Sequence, residues 1–122
     1  MPDEAPVRDQ LVVELYVRNL AASRAVYERL GFRVTLDKGN YAELAWGNAW
    51  LMLDEDPDVS LPPHPVGNIR VMVPDVDRYW ALCRRLGLPV VRPLADRDYG
   101  LRDFTVAGPD GLGLRFASRL TM

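Results

Sequence analysis

Between positions 12 and 17 apolar and polar residues alternate. Val13, Leu15 and Val17 fall on one side of an extended chain, and Val12, Glu14 and Tyr16 on the other. The period then becomes helical: Leu20, Val26, Tyr27 and Leu30 line one face, Asn19 stands at the N-cap, and Gly31 follows where a left-handed residue ends a helix. The succession returns 56 positions later without a gap. Val17 matches Val73, Ala25 matches Ala81, Arg29-Leu30-Gly31 matches Arg85-Leu86-Gly87, and Val34 matches Val90. In the second copy Ile69, Val71 and Val73 oppose Asn68, Arg70 and Met72. Asp75 is the expected N-cap, and Val76, Tyr79, Trp80, Cys83 and Leu86 form the helix stripe.

Further strands follow each helix. Gly47 and Asn48 tolerate positive φ and predict a two-residue hairpin turn. That turn pairs Ala45 with Trp50, Glu43 with Met52 and Tyr41 with Asp54, leaving Leu44 with Leu51 and Ala42 with Leu53 on an apolar face. The second copy ends in Phe104 to Val106, a turn over Gly108, Pro109, Asp110 and Gly111, and a strand from Gly113 to Ala117. Residues 56–67 hold four prolines and no pattern, as a linker does. The expectation is one α+β domain over 1–122, built of two βαβββ modules (about 10–55 and 68–118). Its mixed, curved sheets carry helices on the outer face and form a concave cavity inside.

Composition narrows the partners. The 122 residues are 48% hydrophobic and 26% charged, with net charge -2, so neither nucleic acid nor an acidic membrane is an expected partner. No apolar run reaches the length of a membrane span, and the opening Met1 to Pro6 is polar and acidic, so a cytoplasmic protein is expected. Cys83 is the single cysteine and reads as a small buried thiol.

Glu14 to Leu20, Tyr27 to Phe32, Trp50 to Asp54 and Arg102 to Phe116 together resemble the glyoxalase/bleomycin-resistance (vicinal oxygen chelate) superfamily. Enzymes of that family hold a divalent metal with His, Gln or Glu from the first and last strands of each module. The resemblance puts those four positions on Val12, Met52, Asn68 and Arg115. Valine and methionine do not ligate such an ion, and arginine repels it. The only histidine, His64, stands among linker prolines. The resemblance therefore implies the metal-free, bleomycin-resistance-like branch, with no cofactor. The remaining metal reading is a shifted, loose site of Glu14, Glu43 and Asp54.

The expected ligand-binding face holds Glu14, Tyr16, Tyr41, Glu43, Trp50, Met52, Asp54, Asn68, Arg70 and Arg115. Tyr99, in a loop over 93–101, is a candidate lid; Asp96-Arg97-Asp98 otherwise reads as a solvated turn. Plainer roles stand beside these: Glu14 paired with Arg115 or Arg70, Trp50 in sheet packing or a dimer interface, Met52 and Met72 as gap fillers. The resemblance implies a homodimer that binds a small molecule and sequesters an antibiotic of the bleomycin class. The alternatives are a lyase or isomerase with Glu14 or Glu43 as general base and Arg115 or Arg70 holding an anion, and an interaction module without a small ligand.

Overall fold

The computed structural model describes residues 11–120. It divides into two compact units, Met1–Pro57 and Asp58–Met122. The first runs β1 (Val13–Val17), α1 (Leu20–Leu30), β2 (Arg33–Asp37), β3 (Tyr41–Trp46) and β4 (Ala49–Glu55). The second runs β5 (Asn68–Met72), α2 (Val76–Arg85), β6 (Val90–Asp96), β7 (Leu101–Ala107) and β8 (Gly113–Arg119). Each unit is one βαβββ module, so the fold is α+β with two four-stranded mixed sheets, as the repeat predicts.

The sheet orders are β1-β4-β3-β2 and β5-β8-β7-β6, with the first strand of each module parallel to its last. The β3–β4 hairpin has the predicted register, Tyr41 opposite Asp54, Glu43 opposite Met52 and Ala45 opposite Trp50. Gly47 supplies the positive φ of its turn. The apolar sides of Leu15, Val17, Ala42, Leu44, Leu51 and Leu53 are buried, and α1 packs on β3 and β4. Tyr27, Phe32 and Trp46 continue this core edge to face, with ring centroids 5.3 and 5.0 Å apart. On α1, Ser23 takes the buried place expected of Val26, which is half-buried.

In the second module α2 lies on β7 and β8. Tyr79 stacks on Phe116 and Trp80 meets Phe104 edge to face, so both helix aromatics belong to the core. Cys83 is fully buried, and that burial pushes its thiol up to about 11, which suits a packing role.

The two helices begin differently. Asn19 Oδ1 accepts from Ala22 N–H at 3.0 Å, and Glu55 Oε2 accepts from Leu20 N–H at 2.9 Å. Asp75 makes no side-chain cap; instead Ser118 Oγ accepts from Val76 N–H at 2.9 Å and donates to the Val73 carbonyl at 2.7 Å. A hydroxyl from a neighbouring strand thus takes the role expected of Asp75, a tertiary partner that local spacing does not reveal.

The expected loop over 93–101 is also shorter. Strand β6 continues through Pro93 to Asp96, and β7 starts at Leu101. A proline is tolerated there because β6 is the edge of its sheet. No described helix is long and apolar enough to cross a membrane.

Candidate functional site

Each sheet has one face under its helix and one face free of it, and strand register places the polar residues on the free face. In the first module Glu14, Met52 and Glu43 are ladder neighbours across β1, β4 and β3. Tyr16, Asp54 and Tyr41 form the next row. Tyr16 is exposed and Trp50 half-buried on the same side of the pleat. Tyr41 O–H donates to Glu43 Oε2 at 2.7 Å. Desolvation, that hydrogen bond and the negative charges of Glu43, Glu14 and Asp54 push the Tyr41 phenol up to about 12. The face is therefore acidic and aromatic. The loose carboxylate site does not materialise, because no group of three or more His, Cys, Asp or Glu among the described residues is placed to hold an ion.

The second module repeats the geometry with the opposite charge. Its equivalent row is Arg70, Arg115, Thr105 and Arg92, across β5, β8, β7 and β6. One step along lies Asp103, 1% exposed, and it organises this face. Arg115 donates to Asp103 Oδ2 from Nη2 at 2.7 Å and from Nε at 3.1 Å. Arg97 Nε donates to Oδ1 at 2.9 Å, and Tyr99 O–H donates to Oδ2 at 2.7 Å. Burial works to raise the Asp103 carboxyl, but these bonds from Tyr99, Arg97 and Arg115 outweigh it and hold the group below the usual carboxylate range.

Two expectations change here. Arg115 takes its carboxylate partner from its own module, Asp103 rather than Glu14. Arg97 is no solvated turn residue: its side chain is 15% exposed and locked to Asp103, and it also donates to the Pro93 carbonyl. Tyr99 joins this network, its hydroxyl donating to Asp103 and the Arg115 guanidinium standing 5.6 Å from its ring centroid. Asp103 itself lies beyond the expected set. Its signal was the hairpin around Gly108 to Gly111, whose register sets it one pleat step from Arg115.

Beside the network opens a cleft of about 340 Å³. Asn68, Thr105, Arg92 and Arg115 supply its polar walls, and Val66 and Val91 apolar ones. Gly113 permits this floor, since a Cβ there would lie 2.8 Å from Thr105 Cγ2 and 3.2 Å from Asn68 Cβ. Arg70 and Met72 lie outside the cleft on the same strand face, and His64 is exposed in the linker.

The glyoxalase/bleomycin resistance protein/dioxygenase family model matches residues 9–116, nearly all of this two-module pattern. The chain belongs to that superfamily. TioX from Micromonospora sp. ML1 is similar in structure, with TM-score 0.75 and 27% identity over 90% of this chain and 98% of that one. A bleomycin-binding protein complexed with bleomycin matches at TM-score 0.70 and 23% identity, over 91% and 98% of the two chains. A lactoylglutathione lyase from Agrobacterium tumefaciens matches at TM-score 0.70 and 19% identity, over 93% and 96%. A comparison with curated protein sequences finds no match.

The superfamily's metal does not fit the residues of this member. Met52 stands between Glu14 and Glu43, and Arg115 stands between Arg70 and Thr105 with its guanidinium bonded to Asp103. A thioether and a permanent cation are not a donor set for a hard or borderline divalent ion, and Val12 and Asn68 do not repair it. Of the alternative catalytic groups, Glu14 is exposed and Arg115 is paired with Asp103.

Proposed function

We propose that this protein binds a small organic ligand without a metal and without breaking a bond, and that an antibiotic of the bleomycin class is its ligand. One observation carries the reading: on the helix-free face of the first module, Glu14, Glu43 and Asp54 all act electrostatically on Tyr41, with Trp50 on the same side of the sheet. Fixed carboxylates beside flat rings suit a cationic, partly planar molecule, because rings stack on its planes and carboxylates meet its charge. Tyr16 and Met52 add an amphipathic ring and a deformable thioether to that face. The likeness to a bleomycin-binding protein is consistent with the same use of the fold. On this reading the protein works as a cytoplasmic homodimer with no nucleic-acid or membrane partner.

Titration with bleomycin in a chelator, followed by tryptophan fluorescence, tests the proposal. Trp50 should report a saturable change, and Trp50→Phe should remove most of it. A protein that stays folded and gives no change at any ligand concentration overturns the bleomycin assignment. Product formation that Glu14→Gln abolishes, with binding intact, would replace sequestration by catalysis.

A further inference from the structure

The second module carries a cleft whose chemistry is opposite to that of the acidic face. Its row of Arg70, Arg115, Thr105 and Arg92 sets three guanidiniums on one side of one sheet. The nearest buried acid, Asp103, is already bound by Arg97, Arg115 and Tyr99. Asp103 thus faces two close cations, and the charge of Arg92 is left over. The described contact of Arg92 is a long one, 3.5 Å from Nη1 to the neutral Tyr99 hydroxyl.

We infer that this cleft is an anion subsite for a carboxylate borne on a flat apolar body. Arg92 offers a planar fork that matches a carboxylate, and Arg115 still has Nη1 outside its bonds to Asp103 and Tyr99. Thr105 and Asn68 add a hydroxyl and an amide on the same cleft wall, and Val66 and Val91 give the apolar body its surface. Asp103 is the positioning residue: it grips Arg115 through two nitrogens and fixes where the remaining donor lies. A volume of about 340 Å³ accommodates a single aromatic ring with its acid group. The inference goes beyond the bleomycin assignment by giving the second module a ligand chemistry of its own, and it rests on the ligand-binding reading only in treating the helix-free face as a binding surface.

Benzoate is the probe, and benzamide is its uncharged twin of nearly the same shape. Amide-resolved NMR titration of the full chain should show saturable shifts around Asn68, Thr105 and Arg115 with benzoate. Benzamide should bind about tenfold more weakly or less, the loss expected when one charge-assisted hydrogen bond is removed. Arg92→Gln should weaken benzoate by about tenfold and leave benzamide unchanged, with the melting temperature preserved because Arg92 is exposed. Added salt should weaken benzoate alone. Equal binding of the two probes, undiminished benzoate binding by Arg92→Gln, or shifts that map away from the cleft would each overturn the subsite. The bleomycin titration is scored separately: benzoate failing while bleomycin binds removes only the subsite, and the reverse removes only the antibiotic assignment.

Discussion

Arg115 holds Asp103 by two nitrogens on a single oxygen, Nη2 at 2.7 Å and Nε at 3.1 Å from Oδ2, across the central strands β7 and β8. Arg97 takes the other oxygen, so one buried acid fixes two arginines that come from separate parts of the second module.

Removing that acid should cost stability. Asp103→Asn leaves two guanidiniums, 15% and 21% exposed, without their counter-charge. We expect a loss of about 2 to 4 kcal/mol, toward the lower end because both arginines still reach water. Urea unfolding should show a lower midpoint at unchanged slope. A loss under about 0.5 kcal/mol would place the network among dispensable surface pairs.

The same carboxylate sets a pH dependence. Its folded pKa lies below the unfolded value, so its contribution is fully present above the unfolded pKa of about 3.9 and is lost as pH falls through the folded one. The stability gap between the native chain and Asp103→Asn should hold from neutral pH down to about 5 and narrow below about 4. A gap that stays constant through that acid range, or widens, contradicts the assignment.

Much of the architecture was legible in the sequence because it rests on period and spacing. The repeat from Val17 to Val34 and from Val73 to Val90 places both helices, and the Gly47-Asn48 turn fixes the register of β3 and β4. What escaped depends on contacts between distant positions. Ser118 caps α2 from the far end of the module, 42 residues after Val76. Asp103 reads as an ordinary polar strand residue until Arg97 and Arg115 are brought to it. Arg92 gains its meaning from β6 joining the sheet edge beside Thr105. Opposite charges at equivalent rows, Glu14 in one module and Arg70 in the other, were visible in sequence; the cleft beside Arg92 and Arg115 was not.

Tyr41 should ionise well above the range of an ordinary phenol. Its phenol is pushed up to about 12 by burial, by its bond to Glu43 and by the surrounding carboxylates. Ultraviolet absorbance titration of the native chain against Tyr41→Phe isolates its transition, and Glu43→Gln should move that transition down toward the ordinary value of about 10. An unmoved transition would mean that Glu43 does not hold the phenol.

Gly31 and Gly87 should differ in tolerance although both follow a helix. Gly31 has φ +119°, and a Cβ there would lie 3.0 Å from the Trp46 ring. Gly87 has φ +73° and open space around it. Gly31→Ala should cost about 2 kcal/mol and Gly87→Ala about 1 kcal/mol, since only the first adds a steric clash to the left-handed strain. Thermal unfolding of the two variants ranks them, and the reverse order would remove Trp46 as the cause.

Ligand binding by carboxylates and rings without a metal is the role proposed for this chain. Calorimetric titration of chelator-stripped protein with bleomycin tests it most directly, alongside the Glu14→Gln, Glu43→Gln double variant. Saturation at one ligand per chain is expected, unchanged when divalent metal is restored, with affinity lowered by about tenfold or more in the double variant as two charge-assisted contacts are lost. Binding that requires metal, or equal affinity in the double variant, would contradict it.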